Sequence, residues 1–121
     1  MKAIFDRNCN VVAWIEDNYV FDVNLNWIGF INNEYFFNNN CDWVGGFIHH
    51  TIVDKGGKAI AWVEGFSPAS TVSLLRPIRP LKPLRPLRPL RPLKPLKPLR
   101  PLRPLNPLGG WSHLSWNELF I

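Results

Sequence analysis

Ile4–Ile15 reads IFDRNCNVVAWI, and its pattern returns three times without an insertion. Val20–Ile31 is VFDVNLNWIGFI, Phe36–Phe47 is FFNNNCDWVGGF and Ile52–Val63 is IVDKGGKAIAWV, a repeat of sixteen residues. Asp6, Asp22, Asn38 and Asp54 form one column, and the column of Val12, Ile28, Val44 and Ile60 is always β-branched. Ala13, Gly29, Gly45 and Ala61 are always tiny, Trp14, Phe30 and Trp62 are aromatic opposite a single Gly46, and Ile15, Ile31, Phe47 and Val63 are apolar.

Each unit reads as a β-hairpin. Apolar residues lead to Asp or Asn and a polar turn, and a second apolar run ends at a polar junction such as Asp17-Asn18 or Asn33-Glu34. Asn, Asp and Gly suit the turn because they accept positive φ or bond their own backbone two residues on. Asp6, Asp22, Asn38 and Asp54 are therefore expected to cap turns. Gly57 stands in the turn column that otherwise holds Cys9, Leu25 and Cys41, so a left-handed backbone there would cost those three residues strain.

A lone two-stranded hairpin is not stable in water. Four hairpins of equal length can share a core by closing around an axis, which also removes free sheet edges. The tiny column would sit where backbones crowd, with Val12, Trp14, Ile28, Phe30, Val44, Ile60 and Trp62 as the repeat core. The expected fold class is thus all-β, with four 16-residue β-hairpin repeats around a pseudo-four-fold axis. These units resemble the four-fold beta-flower domain of bacterial proteins over Met1 to about Phe66, and the tail resembles the family's Pro-rich tail with its Trp-containing end. Gly46, Cys9, Leu25 and Cys41 depart from the family pattern. The resemblance implies the fold and no particular activity.

After this head (residues 1–67) and a linker (68–75), the composition changes. Of twelve prolines, eleven lie between Pro77 and Pro107, where a basic–Pro–apolar triplet repeats. Proline at every third position excludes helix and sheet ladder, whereas polyproline II has three residues per turn. The tract 76–108 is therefore expected to be an extended polyproline II arm of roughly 100 Å. It would carry one basic ridge (Arg79, Lys82, Arg85, Arg88, Arg91 and onward) and one apolar ridge (Leu81, Leu84, Leu87, Leu90 and onward). Charge is split as well: the chain up to Leu75 has four basic and eight acidic residues, and the tract has ten basic residues and no acid.

A spacer needs no apolar ridge, and a leucine stripe left in water is a liability. Self-association through that ridge and the Trp-containing C-terminal motif, as a homo-oligomer, is the favoured reading. Its alternative is an anionic partner, either a membrane surface or nucleic acid, although nucleic acid has no use for the leucines. Residues 109–121 end in WSHLSWNELFI, whose Trp111, Leu114, Trp116, Leu119 and Phe120 form an expected docking motif. Ser115 and Glu118 have capping-box spacing. The segment would dock either on its own head or on another subunit.

No catalytic set is legible. His49-His50 aligns with the polar junctions, and no spacing supports a metal. Cys9 and Cys41 occupy equivalent turns two units apart, too distant for a disulfide, and read as exposed thiols on turns. Neither a nucleophile–base–acid set nor a phosphate-binding glycine loop is present. The expectation is a non-enzymatic interaction module without cofactor or small-molecule substrate. Ligand capture by the repeat aromatics, carbohydrate for example, is a further alternative that would need exposed tryptophans. With no apolar leader and no run of eighteen apolar residues, the expected location is cytoplasmic.

Overall fold

A computed structural model describes residues 1–66, 68 and 110–120 of the chain. The tract 76–108, and with it the polyproline II reading, lies outside the described residues.

The head is a closed barrel of eight antiparallel strands in sequence order: β1 (Lys2–Asp6), β2 (Val11–Glu16), β3 (Tyr19–Phe21), β4 (Trp27–Asn32), β5 (Tyr35–Asn38), β6 (Trp43–Ile48), β7 (Thr51–Val53) and β8 (Ala59–Val63). Each strand pairs with the next, and β8 returns to β1 through Ile4 opposite Val63 and Phe5 opposite Trp62. Closure leaves no edge among strands of only three to six residues.

Two kinds of turn alternate around the barrel. Within a repeat, the N–H of Asp6 donates to the Asn10 carbonyl (3.0 Å) and the N–H of Cys9 to the Asp6 carbonyl (2.9 Å); the same pair of bonds recurs at Asp22, Asn38 and Asp54. The last turn residue is left-handed in all four, with φ of 62° at Cys9, 64° at Leu25, 65° at Cys41 and 87° at Gly57. This is the three-residue hairpin loop closed by a left-handed residue. Between repeats the turns are two residues long, and both central residues have positive φ at Asn33-Glu34 (50° and 69°) and at His49-His50 (50° and 61°).

The register slips once in every repeat. Ile4 faces Ala13 but Phe5 faces Val11, so Val12 is an extra, bulged residue. Ile28, Val44 and Ile60 are skipped in the same way. A bulge lets two successive residues point to one face, and here the bulged residue and the tiny one after it both belong to the interior cluster. That cluster joins Val12, Ile28, Val44, Ile60, Ala13 and Ala61 to Ile4, Val20, Phe36 and Ile52 and to Ile15, Ile31, Phe47 and Val63. The tiny column is small because the next unit crowds it. A Cβ on Gly45 would run into the Val53 carbonyl oxygen, and one on Gly29 into the Phe37 carbonyl and, at 2.6 Å, the Phe36 ring.

The aromatic column is not in this interior. Two-residue alternation puts Trp14, Phe30 and Trp62 on the face opposite Ile15, Ile31 and Val63. Trp62 and the half-buried Trp14 pack with Ala3 and Phe5 in one outer cluster, and Phe30 packs with Phe37 and Cys41 in another. These three members of the expected repeat core therefore wall the outside of the barrel. The thiol expectation is also corrected at Cys41, which is buried because its left-handed backbone carries the side chain onto Phe30 and Phe37. Cys9 and Cys41 form no disulfide.

Gly45→Ala should destabilise the barrel by about 1–3 kcal/mol, the usual cost of overpacking, read as a lower denaturation midpoint. An unchanged midpoint would mean that β6 and β7 do not approach as closely as described.

Candidate functional site

The four capping side chains lie at one end of the barrel. Asp6 Oδ1 accepts the backbone N–H groups of Asn8 (2.9 Å) and Asn10 (3.0 Å). Asp22 Oδ1 accepts those of Asn24 and Asn26 at 2.9 Å each, and Asn38 Oδ1 those of Asn40 and Asp42 at 2.9 Å each. Asp54 Oδ1 accepts the N–H of Lys58 at 2.9 Å. One side-chain oxygen thereby fixes each turn, and an amide oxygen at Asn38 does so as well as a carboxylate. The column is structural wherever nothing further binds it.

Asp54 has a second partner. Its Oδ2 accepts the hydroxyl of Ser112 at 2.6 Å, a buried contact 58 residues distant in sequence. The Ser112 N–H donates to the Ala59 carbonyl at 2.8 Å, its hydroxyl accepts the Leu114 N–H at 3.1 Å, and Trp111 bridges to Ala59 in parallel. The C-terminal segment is thus laid along the start of β8, which fixes where its apolar residues land.

Trp111 packs on Trp62, ring centroids 5.6 Å apart, in the outer cluster. Its place is explained by the repeat. Trp27 and Trp43 stand at the start of β4 and β6, each donating its indole N–H to the carbonyl of the glycine two residues on (Gly29 and Gly45) at 2.7 Å. The equivalent positions in β2 and β8 are Val11 and Ala59, so neither of those strands starts with an indole, and Trp111 packs at the second of them, beside Trp62.

Beyond Ser112 the segment turns over the barrel mouth. Trp116 and Leu119 are buried and join the interior cluster, with Leu114 and Phe120 packed against it. Trp116 lies 6.1 Å from the Phe36 ring and 5.2 Å from that of Phe120, and Phe120 meets Phe36 edge-on at 5.6 Å. A 3₁₀ turn, η1 (Asn117–Phe120), carries these residues. Ser115 and Glu118 cap it reciprocally: the Ser115 N–H donates to Glu118 Oε1 (3.1 Å) and the Glu118 N–H to Ser115 Oγ (3.4 Å). Those bonds from Ser115 favour the charged carboxylate and hold the Glu118 pKa below its ordinary value. A cavity of about 150 Å³ remains between the segment and the Asp6 turn, lined by Arg7, Asn8, Trp111 and His113 among others.

All five expected docking residues therefore meet the barrel of the chain, four at the mouth and Trp111 on the wall. Ser112 was not singled out in the sequence. The one sequence signal near it is Ala59, which stands where the middle units have Trp27 and Trp43. The tract residues Arg79, Leu81, Lys82, Leu84, Arg85, Leu87, Arg88, Leu90 and Arg91 lie outside the described residues.

The opposite mouth is bordered by Ile15, Asp17, Phe47, His50 and Val63. His50 stacks flat on Phe66, centroids 3.6 Å apart, and Lys2 Nζ lies 5.0 Å from the Phe66 ring. The outer wall over the middle units carries two matching Tyr–Trp pairs, Tyr19–Trp27 and Tyr35–Trp43, each with centroids 6.4 Å apart. Among the described residues, no group of three or more His, Cys, Asp or Glu is placed to hold a metal ion. No described helix is long and apolar enough to cross a membrane.

Four hairpin repeats closed into one barrel fit the four-fold beta-flower class. The chain matches the family described as 4-fold beta flower protein over residues 2–120, and it belongs to that family. No curated protein and no solved structure matches the chain.

Asp54→Ala should cost about 1–3 kcal/mol more than Asp22→Ala in chemical denaturation, because a charge-assisted hydrogen bond is lost with the turn cap. Equal costs would show that Ser112 contributes nothing to docking. Acid should loosen the segment. A carboxyl whose folded pKa is depressed stabilises above its unfolded pKa, and that contribution is lost as pH falls through the folded value. The near-ultraviolet circular dichroism of the tryptophans should therefore decline below about pH 4, and Glu118→Gln should remove part of that decline. An identical acid titration for Glu118→Gln would show that the capping box does not hold the segment.

Proposed function

We propose that this protein is a non-enzymatic assembly module. The barrel is a rigid platform, the C-terminal segment is its docking element, and the basic leucine-ridged tract is the arm through which chains associate. One observation carries the reading: the Asx-turn end of the barrel holds an eleven-residue peptide by its backbone, by a buried serine–carboxylate hydrogen bond and by apolar anchors. Fully burying a large apolar side chain contributes roughly 1.5–3 kcal/mol, so Trp116 and Leu119 make a firm hold.

Sequence supports the remainder. Eleven apolar residues stand at every third position from Ile78 to Leu108, a spacing that would line them up as one ridge on a three-residue helix. Such a ridge is covered by association of like arms, against repulsion among ten positive charges on each. Oδ1 of each capping carboxylate accepts turn amides and Asp54 Oδ2 accepts the Ser112 hydroxyl, which supports a structural role for the column. Ligand capture by the repeat aromatics stays the alternative: Trp62 is buried, whereas Trp14, Trp27 and Trp43 are half-buried on the outer wall.

Replacing Leu84, Leu87, Leu90 and Leu93 by Gln should lower the mass in light scattering to a single chain while the barrel's circular dichroism is kept. Multimers should strengthen with added salt, which screens the repulsion between arms. An unchanged mass in the leucine variant contradicts the reading.

A further inference from the structure

The four repeats meet at four equivalent notches around the Asx-turn end, each between the strand start of one unit and the turn of the next. At the notch of Trp27 the indole comes from the strand itself, and Asn39 Nδ2 of the next turn donates to the Trp27 carbonyl at 3.3 Å. At the notch of Trp43 the same arrangement holds, with Lys55 Nζ of the next turn 5.4 Å from the indole ring. At the notch of Ala59 the indole is supplied from elsewhere in the chain. Trp111 lies 5.6 Å from Trp62 at an interplanar angle of 44°, much as Trp27 lies 6.5 Å from Phe30 at 33°. Phe30 and Trp62 are equivalent positions of the repeat, so Trp111 does for Trp62 what Trp27 does for Phe30.

The notch of Val11 differs from the other three. Trp14 stands in the column of Phe30 and Trp62 and is half-buried, where Trp62 is 3% exposed. Among the described residues no ring pairs with Trp14 as Trp111 pairs with Trp62. The next turn brings Val23, in the column of Asn39 and Lys55, and its apolar side chain is 52% exposed. The cap differs as well. Asp22 Oδ2 accepts Asn26 Nδ2 at 3.3 Å and Asp54 Oδ2 accepts the Ser112 hydroxyl at 2.6 Å. Asp6 uses Oδ1 for the amides of Asn8 and Asn10, and none of the described hydrogen bonds uses its Oδ2.

We infer that Asp6, Val11, Trp14 and Val23 form a second peptide-docking site, which takes an extended segment of a partner protein carrying tryptophan followed by serine or threonine. Each contact has its precedent at the Ala59 notch. The partner's indole lies beside Val11 on Trp14, at the spacing aromatic pairs favour. The N–H of its next residue donates to the Val11 carbonyl, as Ser112 donates to Ala59. The hydroxyl of that residue donates to Asp6 Oδ2, a charge-assisted bond like that of Ser112 to Asp54. Val11 and Trp14 pack in the same outer cluster as Trp62 and Trp111, so the site continues a surface already used for docking.

The occupant is a different polypeptide, because Trp111-Ser112 is the sole tryptophan in this chain followed by serine or threonine, and it is engaged at Ala59 of its own barrel. This site is independent of association through the arms and stands whether or not the chain self-associates.

Fluorescence anisotropy of a dye-labelled peptide Gly-Trp-Ser-His-Leu, the sequence of Gly110–Leu114, titrated with the full chain, tests the site. Binding should saturate, disappear when the peptide's tryptophan is replaced by alanine, and weaken about tenfold when its serine is replaced by alanine. Val11→Trp gives the first unit the indole of the middle units and should abolish binding while the barrel's thermal midpoint is kept. If that variant fails to fold, Asp6→Asn keeps a turn cap of the kind seen at Asn38 and should weaken binding about tenfold through loss of the charged acceptor. Unchanged affinity in these variants, or no saturable binding at millimolar peptide, overturns the inference. Binding that survives Val11→Trp and is lost with Asp54→Asn places the peptide at Ala59, in competition with the chain's own segment, and overturns it as well.

Discussion

One side-chain oxygen accepting two backbone N–H groups, followed by a residue forced into the left-handed region, sets the geometry on which this barrel depends. At Asp6, Asp22 and Asn38 the oxygen holds the amides two and four residues on. This fixes a three-residue loop, and the register that follows is offset by the bulge at Val12, Ile28, Val44 and Ile60. The bulge turns a β-branched and a tiny residue inward together, and the strongly twisted short strands can then close. Three non-glycine residues hold left-handed backbones at the loop ends. That costs roughly 1–2 kcal/mol each, and burial of Leu25 and Cys41 offsets part of it.

Four-fold repetition creates a problem that the sequence resolves asymmetrically. A short eight-stranded barrel has two mouths, and repeated hairpins alone cover neither. At the Asx-turn end Trp116, Leu119 and Phe120 close the opening. On the wall Trp111 packs beside Trp62 at the start of β8, where Ala59 replaces the Trp27 and Trp43 of the middle units. Asp54 is the capping residue that gained a second role, because its turn leads directly into β8, on whose first residue the segment lies. Among the described contacts the other three keep the structural role alone.

Much of this was legible in the sequence because the relevant interactions are local. The sixteen-residue period is written in the chain itself, and the Asx caps, the left-handed turn column and the Ser115–Glu118 capping box each depend on residues within five positions of one another. Facing was harder to read. Strict alternation from Val12 would put Ala13 outside and Trp14 inside, and the bulge reverses that for everything after it, so Trp14, Phe30 and Trp62 went to the wall. The slip is invisible as composition, although a β-branched residue followed by a tiny one in every unit is its mark. Ser112 was harder still. Its partner Asp54 lies 58 residues away and resembles Asp6 and Asp22 in sequence.

The account's central claim is that the C-terminal segment is part of the barrel's fold and not an appendage. Native-state hydrogen exchange on the full chain tests it through one amide. The Ser112 N–H, bonded to the Ala59 carbonyl at 2.8 Å, should exchange as slowly as the strand amides of β4 and β8, because it opens only when the barrel does. Exchange of Ser112 at the rate of an unstructured amide, with the strands still protected, would contradict the account.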